Sequence, residues 1–196
     1  MIRRPPALLF TIVALASCLL GYWLLTPREQ PSEALPWLQA WDGEVLRPLF
    51  DDHLSTADLA DHLSSPELWL QPRLDGPRLL LRGELDGWQV EGELALSEAQ
   101  RASLLQASGL RPNDPEQPQS AQMLADLSGR AIEGLNLQPR QPVAASALSA
   151  TLGAPRLRLQ LEGGEAWVYP QQGLTAHLHG DDVQMLRAVP KRLLQH

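Results

Sequence analysis

The stretch LSATLGAPRLRLQLEGGEAWVYPQQGLTAHL, residues 148–178, decides how the chain is read. It opens as a short helix, with Leu148 and Leu152 four apart on one face, and is stopped by Gly153-Ala154-Pro155. Glycine tolerates a left-handed helix stop and proline blocks re-entry into the helix, so the chain must turn there. Beyond Pro155 the residues alternate. Leu157, Leu159 and Leu161 interleave with Arg156, Arg158 and Gln160, the period of a strand with one buried and one wet face. Gly163-Gly164 supplies the next turn, and Trp167 and Tyr169 share one face of the strand after it. The pattern predicts a helix laid on antiparallel strands, with the three leucines against the helix and Arg156 and Arg158 outward.

The same grammar occurs once before. Leu59-Ala60-Asp61-His62-Leu63-Ser64-Ser65-Pro66-Glu67-Leu68 aligns without a gap with residues 148–157: Leu, three residues, Leu, two small residues, Pro, any residue, Leu. Strand-like sequence with a tryptophan comes after each, at Trp88 and Trp167. An internal duplication reads this way after divergence, and chance in a Leu- and Pro-rich chain is the competing explanation.

The second unit also carries a resemblance. A helix ending in Leu152-Gly153-x-Pro155, then Trp167-x-Tyr169, Gly173-Leu174 and Val183, resembles the small SmpA/OmlA, or BamE-like, envelope lipoprotein domain over residues 143–190. Two departures stand out: Pro139-Arg140-Gln141-Pro142 replaces the polar turn expected before the helix, and the first unit lacks a Trp-x-Tyr. The resemblance implies a module that binds other proteins and performs no chemistry. A tandem of such modules also resembles beta-lactamase inhibitor protein-like folds, which implies an inhibitor or immunity protein as a further alternative.

Working outward, the proline clusters divide the remainder. Trp37, Trp41, Val45, Leu49 and Phe50 recur at helical spacing, predicting one amphipathic helix interrupted near Pro48. Ser55 or Thr56 caps a helix through Leu63, ended by Pro66. Asp86-Gly87 between two alternating runs predicts a hairpin. Ser97 caps a helix that Gly109 stops, residues 111–119 read as a proline-rich linker, and residues 120–127 as a short helix. The expected organisation is α+β: an anchor over 1–27, tether and amphipathic helix over 28–54, and a first helix-plus-antiparallel-sheet unit over 55–110. A linker with a short helix over 111–142 and the BamE-like second unit over 143–196 complete it.

At the N-terminus, Arg3 and Arg4 precede 19 uncharged, mostly apolar residues from Ala7 to Leu25, long enough to span a bilayer. The basic end favours the cytoplasm, which places the rest in the periplasm as a single-pass inner-membrane protein. Leu15-Ala16-Ser17-Cys18 competes as a lipobox, with Cys18, the only cysteine, as the lipidation site. Apolar sequence through Leu25 with Tyr22 and Trp23 fits an uncleaved anchor better, and a cleaved secretory signal is the third option. Of 16 basic residues two lie in the anchor, so 14 face 23 acidic ones beyond it, a net charge of −9. Such a balance argues against nucleic acid or anionic lipid surfaces as partners.

For chemistry, His177 and His179 share a strand face beside Asp181-Asp182, a pattern compatible with a divalent metal but lacking a third placed ligand. Solvated strand-end histidines are the commoner meaning. No nucleophile elbow, cysteine nucleophile or Gly-rich phosphate loop is legible. The expectation is a non-enzymatic, cofactor-free, membrane-tethered interaction module that meets another envelope protein through Arg156, Arg158, Trp167 and Tyr169. A periplasmic metal-binding protein or hydrolase is the alternative.

Overall fold

Antiparallel pairing organises this computed structural model, which describes residues 35–194. The expected membrane segment, Cys18 and most of the tether lie outside the described residues. Among the described residues no helix is long and apolar enough to cross a membrane.

The fold is α+β, built on one large antiparallel sheet. A first meander comprises β1 (Ser64–Gln71), β2 (Arg78–Leu85), β3 (Trp88–Leu94) and, after an excursion, β5 (Ile132–Pro139). A second comprises β6 (Leu157–Leu161), β7 (Gly164–Tyr169), β8 (Leu174–His179) and β9 (Asp182–Ala188). With the two-residue β4 (Gln117–Pro118) they form a nine-stranded sheet in the order β4-β1-β2-β3-β5-β9-β8-β7-β6. The meanders join through their last strands, Leu135 opposite Ala188 and Leu137 opposite Leu186. The two expected units therefore share a single sheet. The stretch expected as linker over 111–142 contains β5, one of the sheet's central strands; Leu135 and Leu137 alternate there with Gly134, Asn136 and Gln138.

Local chemistry explains the elements. Asp86 and Gly87 both have positive φ, 48° and 80°, as a type I′ hairpin requires. The helix α3 (Thr56–His62) starts with a capping box: the Ser55 hydroxyl accepts the Asp58 N–H, and the Asp58 carboxylate accepts the Ser55 N–H. Ahead of it, α1 (Pro36–Trp41) and α2 (Arg47–Phe50) are joined by a π-helical turn at Asp42–Leu46. A proline ring crowds the carbonyl four residues back and offers no N–H. The wider turn, with Arg47 N–H donating to the Asp42 carbonyl, falls just before Pro48 and absorbs that mismatch. Two further helices, α4 (Glu98–Ser108) and α5 (Ala121–Asp126), are capped by Ser97 and Ser120. The last α-helix among the described residues, α6 (Ala145–Leu152), ends at Gly153 with φ 81° and ψ −171°, a positive-φ stop outside the left-handed helical well.

One sheet face carries the core. Leu68, Leu70, Leu79, Leu81, Trp88, Val90, Leu135, Leu137, Leu174, Ala176, Leu186 and Ala188 merge there with Leu38, Trp41, Val45, Leu49, Leu59, Leu63 and Leu148 from the helices. Residues 36–50 cross both meanders. The Trp37 ring lies tilted against Trp88 at 4.7 Å and the Trp41 ring meets it edge-on at 6.0 Å, and Trp41 Nε1 donates to Asp86 at 2.9 Å. Phe50, at the far end, lies against Gly173 of the β7–β8 turn, and at the near end the N–H of Leu35 donates to Thr151 Oγ1 of α6 at 2.8 Å.

The parity of the second unit is the reverse of the expectation. Trp167 and Tyr169 pair with Ala176 and Leu174 on the helix-covered face and are buried. Arg158, opposite Trp167, lies on that same face, so Leu157, Leu159 and Leu161 point to the other side, 50%, 43% and 47% exposed. The cause is register: the hairpin pairs Leu161 with Gly164 and so sets Arg158 opposite Trp167, and the edge position leaves Arg158 exposed on that side. β6 is the terminal strand, and the helical cover fills the cluster from β1 to β7 without reaching it.

Candidate functional site: the open face of the sheet

Side chains that alternate away from the core line the opposite face, and over the first meander they enclose a groove of about 640 Å³. Its wall includes Glu67, Trp69, Arg82, Glu84, Gln89, Glu91, Asn136, Gln138 and Arg140. Strand register places these groups side by side: Arg82 opposite Glu91, Glu91 opposite Asn136, and Glu84 opposite Gln89. Arg82 is the hub. It lies 5.5 Å from the Trp69 ring centroid, donates to Glu91 at 2.8 Å and to Glu116 at 2.5 Å. Glu116 also accepts from Gln71 at 2.5 Å, Asn136 donates to Glu91 at 3.4 Å, and Arg140 pairs with Glu84.

Electrostatics follow from those contacts. The Arg82 guanidinium, helped by Gln71, holds the Glu116 carboxyl below the usual carboxylate range. Reciprocally, Glu116 and Glu91 raise the Arg82 pKa against the opposing effect of burial. Both arginines of the groove wall are thus neutralised by carboxylates, and Glu67 accepts from Trp69 Nε1 at 3.1 Å. Ser65, on the rim, has φ 52° within the β1 bulge between Ser64 and Glu67. Bulges and strained non-glycine residues of this kind recur beside binding sites. A second cleft, about 630 Å³, lies between the π-helical turn and α6. The charged pair in its wall, Asp42 and Arg47, is mutually bonded at 2.6 Å and exposed.

The residues singled out from the sequence are not assembled into an outward patch. Trp167 donates to Glu165 at 2.9 Å and carries the Arg158 guanidinium 4.3 Å from its ring centroid, both on the helix side. Tyr169 is core. His177 and His179 do share the open face, with His179 Nδ1 2.9 Å from the Gly163 carbonyl. The Asp181 carbonyl accepts the Ala145 N–H, and Asp182 bridges to Ala144. Among the described residues no three His, Cys, Asp or Glu side chains cluster with metal-ligand geometry. Sequence reasoning missed Trp69, Arg82 and Glu91. Their signal was present as polar residues alternating with Leu68, Leu70, Leu79, Leu81 and Val90.

Compared with known protein families, curated proteins and solved structures, the chain matches none.

Proposed function

We propose that the chain is a membrane-tethered periplasmic protein-interaction module, an assembly factor or accessory subunit of an envelope complex, that acts by binding and not by catalysis. The observation that carries this reading is the asymmetry of the sheet. One face is filled by helices, while the other presents a broad, preorganised polar groove whose aromatic and guanidinium groups are held in place by neighbouring carboxylates. Half-buried Trp69 and Arg82 on a rigid platform are of the residue types that dominate protein-binding energetics. The apolar N-terminal stretch supports the tether, and the acidic balance suits a partner surface of basic character.

A second reading has its own support. Two four-stranded meanders fused edge to edge, with helices on one side, is the arrangement that makes a tandem inhibitor or immunity protein a reasonable use of the same face.

The test is a photo-crosslinking residue placed at exposed Gln89 or Gln138 in the groove, with Gln122 on α5 as a control, in envelopes of expressing cells. Adducts confined to the groove positions are expected. Equal labelling from Gln122, or a tightly bound metal lost on replacing His177 and His179 by Ala, would overturn the proposal. A reporter fused after His196 that works only in the exported compartment checks the orientation.

A further inference from the structure

The two edges of the sheet are treated differently. The β4 edge is two residues long and contains Pro118, a residue that cannot donate to a further strand. The β6 edge is five residues long, pairs with β7 in unbroken register, contains no proline, and turns Leu157, Leu159 and Leu161 to solvent on one face. Natural sheets blunt free edges because unpaired backbone groups template further strands. An open edge beside a blunted one marks a surface meant to be paired.

The sequence of that edge fits itself. Antiparallel pairing about a two-fold axis at Leu159 sets Leu157 against Leu161, Leu159 against Leu159, Arg158 against Gln160 and Arg156 against Glu162. All leucines then lie on one face, and opposite charges meet at both ends of the other, the arrangement that favours cross-strand pairs. A two-fold interface needs this self-complementarity, with residue i meeting j and j meeting i. A shift of one residue would put leucines opposite polar side chains and separate Arg156 from Glu162.

We propose that β6 is the dimerisation edge of this chain, joining two copies through β6–β6 antiparallel pairing centred on Leu159 into one continuous sheet. This does not rest on what the open face binds.

Register-specific disulfide trapping in the full chain tests it. Directly opposed residues in antiparallel strands have Cα separations within disulfide range. Leu159→Cys should give a covalent homodimer under mild oxidation, well above the background set by Cys18 in the wild type. Leu157→Cys alone and Leu161→Cys alone should stay near that background, whereas the two variants co-expressed under different tags should cross-link to each other. Leu159→Glu should lower the solution mass from dimer to monomer and abolish the concentration dependence of the melting temperature, with the far-UV spectrum unchanged because the side chain is exposed within one copy. Background-level trapping at Leu159, trapping at all three positions alike, or Leu159→Cys adducts made with a different protein would each overturn the proposal.

Discussion

The hydroxyl of Tyr169 is buried with no protein hydrogen-bond partner among the described residues, and burial raises its pKa. An unsatisfied buried hydroxyl costs more than its removal. Tyr169→Phe should therefore melt at or above the wild-type temperature, a gain of up to about 1 kcal/mol by chemical denaturation. Its pH profile should also differ. The raised phenol contributes stability present below about pH 10 and lost as pH climbs through the folded-state value, and the phenylalanine variant lacks that loss. Trp167→Ala is the contrast: it removes a core aromatic together with its Glu165 and Arg158 contacts, and should cost about 3 kcal/mol. These outcomes stem from the covered face. The alternation of Trp167 and Tyr169 was legible in the sequence, but the side they occupy was not, because alternation is a local property and the cover is supplied largely by residues more than a hundred positions earlier.

Among elements, α3 sits on the sheet through missing side chains. A Cβ on Gly92 would lie 2.6 Å from Leu59 Cδ2, so Gly92→Ala should lose about 1 to 3 kcal/mol by overpacking. Combined with Leu59→Val the loss should be less than the two single losses added, as expected for neighbours in contact. The capping box gives an independent measure: Ser55→Ala should cost about 1 kcal/mol in thermal or urea unfolding. Glu116 clasps the short β4 region to Arg82 and Gln71. Because its folded pKa is lowered, that contribution holds above about pH 4.3 and is lost as pH falls through the folded value. The protection factor of the Gln119 N–H, which donates to the Leu68 carbonyl at 2.7 Å, should fall in acid, and less so in Glu116→Gln. Caps and turns of this kind were readable because they are written in three or four adjacent residues, as at Ser55, Ser97 and Asp86-Gly87. β5 reads as linker in the sequence because neighbouring prolines mask an alternation of only Leu135 and Leu137.

At the scale of the whole molecule, the joining of β5 to β9 through Leu135–Ala188, Asn136–Arg187 and Leu137–Leu186 has no local signature, which is why two expected sheets are one. The groove had the same invisibility: Arg82, Glu91 and Asn136 become neighbours only through strand register, and Glu116 reaches them from a loop. The splint over that join has a consequence in time. Residues 36–50 are made before the sheet they cover, and their seat includes Gly173 and Thr151 as well as Trp88 and Asp86. During synthesis the Trp41 end can dry against Trp88 once the first hairpins have emerged, whereas the Phe50 end has no seat until Gly173 is made. Docking therefore proceeds from the Trp41 end to the Phe50 end, and a growing chain carries the second end in need of shelter by a chaperone or a lipid surface until the second meander is made.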